Sequence, residues 1–118
     1  MRYVRVFAEG TEDNPHAPPI YVDAIIDNDD NIIGRHALFG LQGRFDRKDE
    51  HFEPFVLDHK GQMDWGDGFD SKPNDRFGDF DLRAGPLNVG RLLKLRTYNY
   101  PICRYRITRV IQLPPSEL

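Results

Sequence analysis

The chain has 118 residues, 39% hydrophobic, 12% aromatic and 30% charged, with a formal net charge of −3. That length suits one domain, residues 1–118, with one sizeable core, and the aromatic content argues against a disordered chain. No run approaches the roughly 18 apolar residues a spanning helix needs, and the opening "MRYVRVFAEG" lacks the uninterrupted apolar run of a secretory signal.

The charge is divided unevenly. Residues 84–118 carry six basic groups (Arg91, Lys94, Arg96, Arg104, Arg106, Arg109) against the single acid Glu117, whereas residues 1–83 carry ten basic and eighteen acidic groups. An asymmetry of this kind speaks to partners, or to two segments that neutralise each other. The lone Cys103 cannot form an internal disulfide, which sets the expectation of a reducing, cytoplasmic compartment, and the lack of a long apolar run that of no membrane partner.

No window of twelve residues shows helical periodicity, while Pro and Gly punctuate short runs of Val, Ile, Phe and Tyr. The pattern predicts an all-β fold: a single-domain small antiparallel barrel or sandwich of about six to eight strands with a long Gly/Asp-rich loop. The first strand is expected at Arg2–Ala8, followed by the loop Glu9–Pro19 and a strand at Ile20–Asp27. "DNDDN", Asp27–Asn31, reads as a hairpin turn leading to "IIGRHALFGLQGRF". A strand is expected at Phe52–Asp58, then a long segment of weak periodicity at Gly61–Arg83, and a final hairpin at Arg91–Asn99 and Cys103–Leu113. "NIIGRHALFGL" and "LNVGRLLKLRT" echo one another faintly, each with a Gly-Arg that opens a strand.

Enzyme and metal signatures are weak throughout. Asp27, Asp29 and Asn31 have the spacing that opens a calcium loop, but Ile32 stands where the turn needs Gly and Leu38 where a bidentate Glu is needed. The six aspartates of "DWGDGFDSKPNDRFGDFD", Asp64 to Asp81, follow no metal-loop spacing. Asp58-x-Lys60 at a strand end has the form of a metal-dependent nuclease motif, with Asp46 or Asp49 as second carboxylate. It reads more simply as a strand running into a turn. The histidines His16, His36, His51 and His59 show no ligand spacing, and Cys103 reads as a packing residue. No metal, cofactor or catalytic residue is expected.

The strongest pattern is "LLKLRTYNYPICRYRITRVIQL", Leu92–Leu113. Alternation puts Leu93, Leu95, Tyr105, Ile107 and Ile111 on a core face, and Lys94, Arg96, Tyr98, Tyr100, Arg104 and Arg106 on the other. Paired residues must point the same way, so the connection needs an odd number of residues. A register setting Tyr98 against Arg106 and Tyr100 against Arg104 avoids the like-charge pair Arg96–Arg106. It leaves Arg109 on the apolar face unless a bulge near Thr108 turns it out. The basic aromatic face is the expected binding surface of a non-enzymatic module. Its expected partner is a protein, or a second copy of the chain in self-association, in the manner of a regulatory, immunity or inhibitor protein. The alternative is single-stranded nucleic acid, with cations following phosphates and rings stacking on bases.

Overall fold

The computed structural model describes residues 1–43, 52–66, 76–97 and 101–114. Eight antiparallel strands follow one another round a closed barrel: β1 Arg2–Gly10, β2 Ile20–Ile26, β3 Leu38–Gln42, β4 Glu53–Leu57, β5 Gln62–Asp64, β6 Phe77–Phe80, β7 Leu92–Thr97 and β8 Cys103–Gln112. β8 closes the ring by pairing with β1, from Val4↔Gln112 to Gly10↔Tyr105. The ring is an up-and-down barrel, and closing it leaves the sheet no edge strand at either end. The stretch Gly61–Arg83, expected as an aperiodic loop, supplies β5, β6 and a 3-10 turn at Asp81–Ala84. β5 and β6 span three and four residues, too short for a period-2 signal to register.

Inward positions are apolar on every strand except at Gln42 of β3, which is buried and polar. Val4, Val6 and Ala8 of β1, Val22 and Ala24 of β2, and Leu93, Leu95, Tyr105 and Ile107 of the last hairpin are all buried. Leu38, Phe55, Leu57, Met63 and Phe80 complete the ring, and Leu82 and Leu87 join the core from the segment between β6 and β7. Small residues leave room for large ones across the pairing. Gly40 stands opposite Phe55, and a methyl group on it would lie 2.3 Å from the Phe55 ring and 2.5 Å from the Tyr21 carbonyl oxygen.

Asp residues shape the tight turns at one end of the barrel. The Asp27 carboxylate accepts the amides of Asp29 (2.8 Å) and Asn31 (3.0 Å), and Asp30 adopts φ 66. Asp58 accepts the amides of Lys60 and Gln62, each at 2.9 Å. Both carboxylates thus close Asx turns, as these residues do by preference. Gly34 and Gly90 of the two echoed segments both lie in the left-handed region, at φ 85 and 96.

The last hairpin departs from the expected register. Leu92 pairs with Arg106, Leu93 with Tyr105, Lys94 with Arg104 and Leu95 with Cys103. Parity is as expected, with Leu93 and Leu95 in and the cations out, but Arg106 pairs six residues back along β7 from the expected Tyr98. Two anchors explain this. The ladder begins further back, with Gly90 N–H donating to Ile107 O (2.7 Å) and Ile107 N–H to Arg91 O (2.9 Å). Either register buries Leu93, Leu95, Tyr105 and Ile107, so the start of the ladder makes the choice, and the Lys94–Arg104 juxtaposition that results costs only about 0.2–1 kcal/mol.

The bulge near Thr108 is present. Phe7 pairs with Arg109 but Ala8 with Ile107, so Thr108 is the extra residue. Its parity flip sends Arg109 outward over the Phe7 ring, 5.6 Å from the centroid. It also overturns the expectation for Ile111, which pairs with Arg5 on the outer wall, while Val110 takes the inward place beside the core.

Candidate functional site

The outer wall of the barrel has two characters. Around β6–β8 its residues are mainly charged: Asp79, Lys94, Arg96, Arg104 and Arg106. Around β1–β4 they are mainly apolar and aromatic: Tyr3, Phe7, Tyr21, Phe39, Leu41 and Val56. The expected binding surface is on the first half, and the second was missed.

Of the six residues expected to form the basic aromatic face, Lys94, Arg96, Arg104 and Arg106 all lie on the outer side of β7 and β8. Tyr98 and Tyr100 lie outside the described residues. The four cations are not equivalent. Arg106 faces Glu9 across β1–β8 and pairs with Glu12 at 3.4 Å. Arg96 stands opposite Asp79 without closing to an ion pair. Lys94 faces Arg104, both exposed, and neither has an ion-pair partner among the described residues. Two of the three described carboxylates of the acidic segment are engaged: Asp64 makes a two-point contact with Arg76 (2.8 and 3.1 Å), and Asp81 accepts the Lys94 amide (2.8 Å), while Asp79 faces Arg96. Asp67, Asp70 and Asp75 lie outside the described residues.

The second surface is a groove of about 670 Å³ that runs across the outer wall from β1 to β5. Phe7 and Tyr21 stack edge to face at 5.0 Å on one side. Leu41, Pro54 and Val56 continue it across β3 and β4, and Trp65 ends it. Phe39 rises from its middle with 70% of its surface exposed. Ion pairs stand at both ends: Arg5 with Asp23 (2.8 and 3.0 Å) and Arg76 with Asp64. The Arg76 guanidinium holds the Asp64 carboxyl below its usual range, and the Asp23 carboxylate raises Arg5. The signal for this groove was in the sequence: "LFGL" and "PFVL" are apolar at both parities, where a strand with one solvated face alternates.

A buried polar chain fixes the Trp65 wall. Trp65 Nε1–H donates to Gln42 Oε1 (3.1 Å), Gln42 Nε2–H to the Tyr105 hydroxyl (3.2 Å), and that hydroxyl to Pro18 O (3.0 Å). Burial pushes the Tyr105 hydroxyl far above its ordinary range, so it stays a neutral donor. The Trp65 ring lies over Gly78, whose missing side chain leaves the space.

Little points to catalysis. Among the described residues no three His, Cys, Asp or Glu side chains are placed to hold a metal ion. Asp58 is occupied by its turn, whose Gln62 amide holds the carboxyl below its usual range, and its nominated companions Asp46 and Asp49 lie outside the described residues, as does His51. Burial pushes the Cys103 thiol up, and the side chain packs against the core. No helix among the described residues is long and apolar enough to cross a membrane. Fold and surface together define a small closed β-barrel with a packed interior and two contrasting outer faces. No family model, curated protein or solved structure matches the chain.

Proposed function

We propose that this chain is a non-enzymatic binding module that holds an extended, apolar and aromatic segment of a protein partner in the groove across β1–β5. The observation that carries the reading is Phe39, a large aromatic exposed at the centre of an apolar groove between fixed ion pairs. A barrel strand needs its inner face for the core, so outward Phe39, 70% exposed, adds nothing to the core, while half-buried Tyr21, Leu41 and Val56 line the groove around it. Aromatic centres ringed by neutral polar contacts are the usual anatomy of protein interfaces. Small ligands are held with about 70–90% of their surface buried. A trough on the outside of a closed barrel covers its occupant from one side, which suits a polypeptide laid across the strands.

The test selects peptides from a displayed random library on the whole chain and measures their affinity for wild type and Phe39→Ala. Selected sequences are expected to be rich in apolar and aromatic residues. Phe39→Ala should weaken them about thirtyfold, the roughly 2 kcal/mol of a central hot spot. The exposed position leaves the thermal midpoint in place. Peptides that bind Phe39→Ala as tightly as wild type would overturn the proposal, as would failure to enrich any.

A further inference from the structure

The basic half of the wall contains a second depression, of about 490 Å³, between β7, β6 and the turn joining β4 to β5. Three cations converge on it: Lys60 from the turn, and Lys94 and Arg96 from β7. We propose that this cleft is an anion site that takes a phosphate group. The inference is independent of the groove and uses none of its residues.

The charge in the cleft sorts into spent and available groups. Arg83 also lines it, but its guanidinium donates to the carbonyls of Asp58 (2.9 Å), Gly34 (3.4 Å) and His36 (2.6 Å). Asp81 is likewise engaged: it accepts the Lys94 amide at 2.8 Å and lies beside Arg91, which is itself clamped on four carbonyl oxygens. The available carboxylate is Asp79, facing Arg96. Against it stand Lys60, Lys94 and Arg96 in the cleft, and Arg104 directly across from Lys94.

The like-charged Lys94–Arg104 pair is the feature the fold does not require. It opposes folding slightly, and a carboxylate at either position would relieve it. A tetrahedral oxyanion between the cations relieves it too, with the Arg96 fork donating two parallel bonds and the ammonium groups acting as point charges. Same-face neighbours on one strand lie about 7 Å apart and cross-strand neighbours about 5 Å apart. Lys94, Arg96 and Arg104 therefore reach one phosphate, or two in succession.

The experiment titrates the whole chain with inorganic pyrophosphate at low salt, following backbone amide shifts. Shifts centred on 59–61, 79–81 and 94–96 are expected. Lys94→Ala with Arg96→Ala should weaken binding about tenfold or more, the worth of a lost charge-assisted hydrogen bond. Asp79→Asn should tighten it, an effect that a merely structural role for these residues would not produce. A parallel arm uses a single-stranded oligonucleotide. Tighter binding than pyrophosphate, lost in the same double variant, identifies the source of the phosphate as a nucleic-acid backbone. Equal or weaker binding identifies it as a small phosphorylated molecule. If neither probe binds, or if the shifts fall elsewhere, the proposal is overturned. Pyrophosphate binding that survives Phe39→Ala separates this site from the groove.

Discussion

Removing one oxygen atom from the barrel interior tests how Trp65 is held. In Tyr105→Phe the ring stays in the core and only the hydroxyl is lost. That hydroxyl accepts from Gln42 and donates to Pro18 O. Pro18 is exposed, so its carbonyl can turn to water. Gln42 is 9% exposed, so its amide nitrogen is left without a partner. One net hydrogen bond is worth about 1 kcal/mol and an orphaned buried donor about 1–3 kcal/mol. The expected loss is therefore about 2–4 kcal/mol, a large share of the roughly 5–15 kcal/mol stability of a domain. In a Gln42→Leu background no amide is orphaned, and the same change should cost about 1 kcal/mol. Urea unfolding followed by emission of Trp65, the only tryptophan, measures both legs of the cycle. Equal costs in the two backgrounds, or a cost below about 0.5 kcal/mol for Tyr105→Phe alone, would refute the reasoning.

Two further outcomes follow from the packing and the turns. Gly40→Ala should lower stability by at least about 1–3 kcal/mol, because the added carbon meets the Phe55 ring and the Tyr21 backbone together; an unchanged urea midpoint would show that the ring does not cover Gly40. Asp58 and Asp64 both titrate below their ordinary range in the fold, through the Gln62 amide and the Arg76 guanidinium respectively. Their stabilisation is present above the unfolded value near about 4, and is lost as pH falls through the lower folded values. Urea midpoints should therefore drop from about pH 5 downward, less steeply in Asp58→Asn; an identical acid profile for the variant would rule Asp58 out.

Much of the barrel could be read from local pattern. Strand chemistry at Arg2–Gly10, Ile20–Ile26 and Cys103–Gln112 needs only β-branched and aromatic residues at alternating positions. The turns at Asp27 and Asp58 follow from a side chain that bonds its own backbone, and the bulge at Thr108 from an arginine that the core cannot accept. These effects act within a few residues and are written in sequence order. β5 and β6 were not legible, because three- and four-residue strands are held by their neighbours rather than by their own periodicity.

Long-range decisions belonged to the tertiary structure. The register of β7 on β8 is settled by Arg91, clamped on Asp81, Leu82, Gly85 and Pro86 and bonded to Ile107, not by the outward charges. That register separates Arg106, neutralised by Glu12, from Lys94 and Arg104, which face each other. The groove shows the same division. Alternation alone says that Phe39 and Tyr21 point away from Leu38 and Ile20. Only the pairing of β1 to β4 in register brings Phe7, Tyr21, Phe39 and Val56 from four strands side by side, with Trp65 held at the end by Gln42. Which face a side chain occupies is a property of its own strand, whereas which side chains share a surface depends on pairings between residues far apart in the chain.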